Sequence, residues 1–178
     1  TDNGPWLQFL HHGGSAGPLR EGKGTTFEGG QRVPCVMRGP GIPADSVCDE
    51  LTGTIDLLPT IAALTGKPLP SKNKIDGVDA SGLWKGTAKK SPRKEFLHYT
   101  SRGDIEGIRS GNWKLLVKKP RRNNAGKAQL HLFDLAKDVG EKNNLADAKP
   151  SVVKELQARM KELDAEITKN ARSPWFKN

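Results

Sequence analysis

The segment "GIRSGNWKLLVKK", Gly107–Lys119, predicts a β-hairpin. Two runs that mix apolar and charged residues flank Gly111-Asn112, and such a pair suits a tight two-residue turn. Two further strand-like segments lie on either side, "EFLHYT" at 95–100 and "QLHLFDL" at 129–135. We therefore expect three or four strands that form an antiparallel sheet.

A helix is predicted after the last of these strands, because apolar residues recur there at spacings of three and four and Pro150 suits a first helical turn. The residues of this apolar face are Val152, Val153, Leu156, Met160, Leu163 and Ile167. Residues 91–178 are thus expected to form a small α+β subdomain, an antiparallel sheet with one packed helix.

Residues 1–90 have a different character, with many glycines and prolines and only short apolar segments. The segment "TIDLLPTIAALTG" predicts a helix that is capped by Asp56 and stopped by Gly66. A brief strand is predicted at Val33–Met37, before the Gly39-Pro40 pair. We interpret 1–90 as one part of the molecule and 91–178 as another.

Composition and charge limit the kinds of partner and of protein class to which this chain could belong. The chain has 178 residues and a net charge of +9, which favours anionic partners such as nucleic acid, acidic polysaccharide or a small sulfated or phosphorylated substrate. No apolar run approaches the roughly 20 residues of a membrane span, and "TDNGPW" is not a signal peptide. Because the chain does not begin with an initiator methionine, we expect a fragment of a longer protein. Cys35 and Cys48 could form one bridge or remain two thiols.

The loop "GPLREGKGTTFEGGQRVP", Gly17–Pro34, invites comparison with a phosphate-binding P-loop. Gly17, Gly22 and Lys23 fit that spacing, but Gly24 occupies the place where the Mg²⁺-binding hydroxyl is needed. The segment before the loop is also too polar for the buried strand that precedes a P-loop. The loop is therefore not a nucleotide site, but Lys23 between two glycines remains a compact charge that an oxyanion could approach closely.

Asp2-Asn3-Gly4 offers a carboxylate and a side-chain amide on a turn, which are the oxygen ligands that Ca²⁺ prefers. Alone, the tripeptide is also an ordinary turn.

Taken together, "TDNGP", "GKGTTFEGGQRVP", "DLLPTIAALTG" and "LFDLAKDVGEKNNLAD" closely resemble, in order and spacing, the C-terminal third of the arylsulfatase-like sulfatases of the alkaline phosphatase superfamily. The resemblance covers essentially the whole chain. It implies an α/β fold class: 1–90 would be the end of a large mixed-sheet sulfatase domain, and 91–178 its small C-terminal α+β subdomain. It further implies a periplasmic or secreted protein that hydrolyses sulfate esters, either aryl sulfates or sulfated carbohydrates.

The same resemblance assigns residues. Asp2 and Asn3 would be two ligands of a Ca²⁺ site that is only partly present in this chain, and Lys23 would contact the sulfate. Glu28 and Arg32 belong to the motif, and we interpret them as structural residues that fix the loop. Substrate-proximal candidates are His11, His12 and His98, although an exposed loop for the first two and a packed strand position for the third are equally consistent with the sequence.

The chain departs from the family pattern, because it lacks the nucleophile motif, the upstream aspartates that complete the metal site, and the arginine, lysine and histidines that activate the nucleophile. The formylglycine nucleophile is made from cysteine or serine in a C-x-P-x-R or S-x-P-x-R setting, and neither Cys35 nor Cys48 has one. We therefore expect the chain alone to be inactive, with the nucleophile upstream, and the fragment could self-associate through uncovered apolar surface. The alternatives are a phosphodiesterase or phosphonate hydrolase of the same superfamily and a non-catalytic anion-binding module.

A nucleic-acid-binding module is the other alternative that the positive charge raises. The basic stretch "KKPRRNNAGKA", Lys118–Ala128, lacks the aromatic residues that would stack on bases. We predict a solvated hairpin tip there and no nucleic-acid partner.

Overall fold

The computed structural model describes residues 2–70, 72, 74–120 and 126–172, and the chain forms two compact units. The first comprises the chain up to Cys35 together with Glu95–Lys169, and the second is built on Val36–Lys94. The interpretation of 1–90 and 91–178 as parts of two domains stays a prediction.

The first unit contains a four-stranded antiparallel sheet in the order β1-β2-β3-β4. Its strands are β1 (Glu95–Tyr99), β2 (Ile105–Ser110), β3 (Trp113–Lys118) and β4 (Gln129–Asp134). The predicted turn between β2 and β3 is confirmed: Ser110 pairs with Trp113, and Gly111 has a φ of 56°. That positive φ favours glycine, which explains the sequence at this point.

The described helices are α1 (Glu28–Gln31), α2 (Leu57–Thr65), α3 (Ser81–Trp84) and α4 (Pro150–Asn170), with 3-10 turns at Leu7–His12 and Thr54–Asp56. Helix α4 confirms the predicted C-terminal helix, and Val153, Leu156 and Met160 are its buried side chains. They pack on Ile108, Leu115 and Leu132, one from each of β2, β3 and β4. Because strand side chains alternate, these three residues define one face of the sheet.

The opposite face of the sheet carries the alternate residues. Its apolar part consists of Leu116 and Phe133, on which Phe27 of the glycine-rich loop packs together with Leu135. The loop thus covers this face as α4 covers the other. The predicted α+β arrangement, a small antiparallel sheet with one packed helix, is confirmed.

In the second unit, α2 ends at Gly66 as predicted, with a left-handed φ of 64°. Asp56 does not cap the helix with its side chain, which is a correction to the sequence-based prediction. Instead its carboxylate accepts hydrogen bonds from the backbone N–H groups of Gly53 and Val78, both at 2.8 Å, and pairs with Arg93. Burial opposes ionisation of Asp56, but these contacts outweigh it and lower its pKa below 3.8.

The large apolar side chains of α2 lie outside rather than inside: Leu58, Ile61 and Leu64 are exposed. The buried residues of α2 are Pro59 and Thr60. The Thr60 hydroxyl donates to the carbonyl oxygen of Asp56 at 2.6 Å and accepts from the N–H of Ala80 at 2.9 Å. The buried Thr60 hydroxyl is therefore hydrogen-bonded both as donor and as acceptor, as a buried polar group requires.

The predicted strand at Val33–Met37 is wrong, because the segment has no regular structure and Val36 is 95% exposed. Short apolar runs indicate strands only where a neighbouring strand is available to pair. Cys35 and Cys48 are both exposed free thiols. The predicted tip between β3 and β4 lies in part outside the described residues, at 121–125. None of the described helices is long and apolar enough to span a bilayer.

Candidate active site

Three backbone segments, at 3–5, 20–25 and 28–31, approach one another at glycines. The N–H of Gly4 donates to the carbonyl oxygen of Gly30 at 3.2 Å, and that of Gly29 donates to Arg20 at 2.8 Å. A Cβ at Gly4 would lie 1.8 Å from the Gly29 oxygen, and one at Gly29 would lie 2.1 Å from the Glu21 oxygen. Only residues without a side chain allow this approach, which places Asn3 beside the loop of Lys23.

Lys23 is exposed at the edge of a cavity of about 410 Å³ that Asn3 and Arg32 also line. Its backbone N–H donates to the carbonyl oxygen of Pro5 at 2.9 Å. Its Nζ lies 5.2 Å from the ring centroid of Trp6, within the range of a cation–π contact. The cavity therefore brings together one of the predicted metal ligands, the predicted sulfate contact and a motif arginine.

Asp2 and Asn3 are the predicted metal ligands, and their side chains touch: the Asn3 amide donates to Oδ2 of Asp2 at 2.6 Å. Both supply hard oxygen atoms, which fits Ca²⁺, but a Ca²⁺ ion takes six to eight such ligands. No cluster of three or more His, Cys, Asp or Glu side chains that could hold a metal occurs among the described residues. These two residues are therefore suited to be only part of a calcium site.

The three candidate histidines lie in two different environments. His11 and His12 are exposed at the end of the 3-10 turn Leu7–His12, and neither is among the described residues that line the cavity. His98 is buried in β1, with only 4% of its surface exposed, and its ring lies 5.4 Å from that of Phe96. Contact of any of the three with a substrate stays a prediction.

His98 is held neutral. Burial, together with the nearby charges of Lys114 and Arg109, lowers the pKa of His98 to about 3. Neither ring nitrogen has a hydrogen-bond partner among the described residues. Its imidazole is thus a packed neutral group at neutral pH.

This shift predicts a pH-dependent stability. Between pH 6.5 and about 3 the unfolded chain binds a proton at His98 that the folded chain does not, so stability is full above pH 6.5 and is lost as the pH falls. From pH 7 to pH 5 we expect His98 to account for about 2 kcal/mol of lost unfolding free energy. Urea titrations of the chain and of its His98→Gln variant at both pH values measure this. Equal pH dependence in the two proteins would contradict the prediction.

A cluster of buried charges lies beneath the loop, and we call Glu28, Arg109, Lys114 and Glu141 the Lys114 cluster. Lys114 projects from β3 on the face that Phe27 covers, and it is completely buried. Its Nζ lies 2.9 Å from Oε1 of Glu28 and 2.9 Å from Oε1 of Glu141, and Arg109 approaches Glu28 at 3.6 Å. Each charge thus has an opposite charge beside it, as buried charges require.

Glu141 contacts the loop at two points on either side of Lys23. Its carboxylate accepts the N–H of Glu28 at 2.6 Å, and its carbonyl oxygen accepts a hydrogen bond from the guanidinium of Arg20 at 2.9 Å. Burial raises the pKa of Glu141 despite the opposing effect of Lys114. Its backbone has a φ of 51°, a conformation that a residue other than glycine adopts only at a cost.

A second polar group lies on the same face, nearer the end of β3. Lys118 pairs with Glu106 at 3.2 Å, and Glu106 also accepts a hydrogen bond from the hydroxyl of Thr26. Lys118 and Arg20 lie over the ring of Phe27, at 4.5 Å and 4.0 Å from its centroid. The loop is therefore attached to the sheet by charges as well as by the apolar Phe27.

Sequence reasoning missed Lys114, Arg109 and Glu141. The strand "WKLLVK" alternates so that Lys114, Leu116 and Lys118 share one face, and lysines on a strand normally indicate a solvated face. The motif residue Glu28 was the only available signal, since a buried carboxylate needs a cation from elsewhere in the fold. The sequence does not indicate which cation that is.

Comparison with known proteins identifies a family whose sequence model this chain matches. Residues 22–168 match the family model described as N-sulphoglucosamine sulphohydrolase, C-terminal. Arylsulfatase A of Bos taurus is 40% identical over 183 residues, covering 92% of this chain and 36% of the relative. The chain therefore spans about a third of the length of such curated relatives.

Solved structures also match nearly the whole of this chain and about a third of their own length. The PsFucS1 sulfatase from Pseudoalteromonas sp. superposes with a TM-score of 0.77 at 27% identity, over 97% of this chain and 37% of that protein. Ps i-CgsB in complex with k-i-k-neocarrahexaose gives a TM-score of 0.75 at 27% identity, over 99% of this chain and 37% of that protein.

Proposed function

The chain belongs to the sulfatase family and is a C-terminal portion of the sulfatase fold, and from this premise we propose that it forms one wall of the active site of an enzyme that hydrolyses sulfate esters. The resemblance drawn from the motifs is confirmed at the level of the family. The nucleophile, a formylglycine, would be supplied by the part of the intact protein that lies upstream of this chain.

The observation that carries the proposal is the shared cavity of Asn3, Lys23 and Arg32. The backbone hydrogen bond from Lys23 to Pro5 holds the Lys23 segment beside the segment that carries Asn3, and both residues line the same cavity. A sulfate ester presents several oxygens to such a site, and a cation on each side of them would neutralise the charge that develops as the ester bond breaks.

The residues of this chain would act as follows. Lys23 would hold one sulfate oxygen through its ammonium group, and Asp2 and Asn3 would provide two oxygen ligands to Ca²⁺. When bound, Ca²⁺ would act as a Lewis acid on the sulfate. Glu28 would hold the loop in place through Lys114 rather than contact the substrate.

For the substrate class we propose aryl sulfates or sulfated carbohydrates. The names of the similar proteins, an arylsulfatase and a protein in complex with k-i-k-neocarrahexaose, support this choice. The positive net charge of +9 also suits a polyanionic carbohydrate better than a neutral one. We further propose a periplasmic or secreted location and no nucleic-acid partner. Uncovered apolar side chains on α2 would allow the isolated chain to self-associate.

The test is turnover of an aryl sulfate by the intact protein that carries this chain, with Lys23→Ala as the variant. We expect kcat/KM to fall by about a hundredfold to a thousandfold, because a charge that stabilises the transition state is lost. Lys137→Ala is the matched control: Lys137 is an exposed lysine whose Nζ lies 3.8 Å from Asp134, and its loss should leave kcat/KM unchanged. Chelation of Ca²⁺ should abolish activity, and added Ca²⁺ should restore it.

Three outcomes would contradict parts of this proposal. Full activity of Lys23→Ala would remove Lys23 from the sulfate site. Turnover of a phosphodiester in preference to the sulfate ester would assign the alternative activity of the superfamily. Steady hydrolysis by the isolated chain would show that no upstream nucleophile is required.

A further inference from the structure

The loop that carries Lys23 has few contacts of its own: the N–H of Lys23 donates to the carbonyl oxygen of Pro5 at 2.9 Å, and the Thr25 hydroxyl donates to that of Gly22 at 2.9 Å. Lys23 is exposed and lies between Gly22 and Gly24. Gly24 has a φ of 87°, and no atom lies within 4 Å of the position that a Cβ would take there. Glycine neighbours leave a segment many backbone conformations in the absence of outside contacts. The position of the Lys23 ammonium therefore depends on these local contacts, on the Trp6 ring beside it, and on the contacts that hold the two ends of the loop.

Those contacts converge on one residue. Glu141 binds Arg20, three residues before Lys23, through its carbonyl oxygen, and Glu28, five residues after Lys23, through its carboxylate. Gly140 allows this approach, since a Cβ there would lie 3.0 Å from the carbonyl oxygen of Pro18. Both ends of the Lys23 loop are thus attached to the same turn after β4.

This turn is itself attached to the sheet through Lys114, which lies at 2.9 Å from both Glu28 and Glu141. Replacing all three charged side chains together by well-packed apolar ones can be neutral for stability or even favourable, whereas removing Lys114 alone would leave two buried carboxylates without their cation. Lys114 donates a hydrogen bond to Glu28 and lies beside the charge of Glu141, so the two carboxylates are held close to the same ammonium group.

We propose that Lys114 and Glu141 are positioning residues for Lys23: the buried Glu28–Lys114–Glu141 contacts hold the two ends of the loop so that the Lys23 ammonium faces the cavity. This inference rests on the proposed function for the role of Lys23, but its structural part stands on the loop alone. Neither Lys114 nor Glu141 is among the described residues that line the cavity, so both act through the loop.

The first experiment is hydrogen exchange of the intact protein and its Glu141→Gln variant, followed by mass spectrometry. Loss of a charged hydrogen-bond acceptor should weaken protection of the amides at 26–32 by roughly tenfold to a hundredfold, while Val153–Met160 in α4 keep theirs. Glu95→Gln is the matched control, since Glu95 pairs with Arg159 on the opposite face of the sheet, and it should leave the loop unchanged. Unchanged protection of the loop in Glu141→Gln would overturn the inference.

If Glu141→Gln fails to fold, the amides throughout α4 will also lose protection. A milder variant then tests the inference. Arg20→Gln breaks the contact to the Glu141 carbonyl oxygen and leaves the buried charges in place. It should weaken protection of the same amides by a smaller factor and leave α4 intact. Full protection of the loop in this variant would also overturn the inference.

The second experiment separates positioning from a general structural role. In aryl-sulfate turnover, Glu141→Gln should lower kcat/KM by about tenfold, and the double variant Glu141→Gln/Lys23→Ala should be no worse than Lys23→Ala alone, because both remove the same contact. If the fold losses of kcat/KM in the two single variants multiply in the double variant, the positioning role is overturned. A wild-type protein with no sulfatase activity would overturn the proposed function instead, and the exchange experiment would still decide whether the loop is held by Glu141.

Discussion

Replacing Lys114 by methionine is expected to lower the free energy of unfolding by about 3 to 5 kcal/mol, the range measured when one partner of a buried ion pair is removed. Glu28 and Glu141 would then remain buried, with Arg109 at 3.6 Å from the Glu28 carboxylate and Arg20 bound to the backbone carbonyl of Glu141 rather than to its carboxylate. Their ionised forms would lose the cation that offsets desolvation. Urea unfolding of the chain, followed by tryptophan fluorescence, measures the change.

The loss should depend on pH. Burial already raises the pKa of Glu141, and without Lys114 it should rise further, so the folded state binds a proton that the unfolded state has released and stability falls as the pH rises. We therefore expect a smaller destabilisation at pH 5 than at pH 8. Lys137→Met, at an exposed pair with Asp134, is the control and should change stability by no more than about 0.5 kcal/mol. A similarly small effect of Lys114→Met would mean that the buried charges are not coupled.

Gly29→Ala is expected to destabilise the loop by about 3 kcal/mol or more and to abolish turnover by the intact protein. Helix propensity alone would make the change favourable by up to about 1 kcal/mol, since Gly29 lies in α1. The new methyl group, however, would lie 2.1 Å and 2.4 Å from the carbonyl oxygens of Glu21 and Arg20. Both are backbone atoms that cannot move without displacing the segment before Lys23, so the clash outweighs the propensity.

Gly24→Ala is the matched control for this substitution. Gly24 has a φ of 87°, but no atom lies within 4 Å of the position that an alanine methyl group would take there, so the cost is conformational strain of about 1 to 2 kcal/mol. Urea unfolding and aryl-sulfate turnover of the two variants compare the effect of a steric clash, at Gly29, with that of backbone strain alone, at Gly24. A Gly29→Ala protein as stable as Gly24→Ala would show that the close approach of the three backbone segments is not required.

The family and the local structure were readable from the sequence. The Gly111-Asn112 turn, the strands around it and the apolar spacing of α4 were predicted because each depends on residues close together in the chain. The motif around Lys23 identified the sulfatase family for the same reason, and the family model confirms it. The predicted strand at Val33–Met37 failed because a strand depends on a partner outside the local segment.

Tertiary structure alone decided which side chains are buried and what they contact. Lys114 lies in a strand whose alternation indicates a solvent-exposed face, yet the side chain is completely buried. It contacts Glu28, which lies 86 residues earlier in the chain, and Glu141 beneath the loop. The apolar residues of α2 are exposed, whereas Thr60 on the same helix is buried and its hydroxyl accepts a hydrogen bond from the N–H of Ala80. By itself the sequence determined elements, turns and family, since these depend on neighbours in the chain. Pairing of charges across long separations depends on how the elements pack, and only the folded structure contains that information.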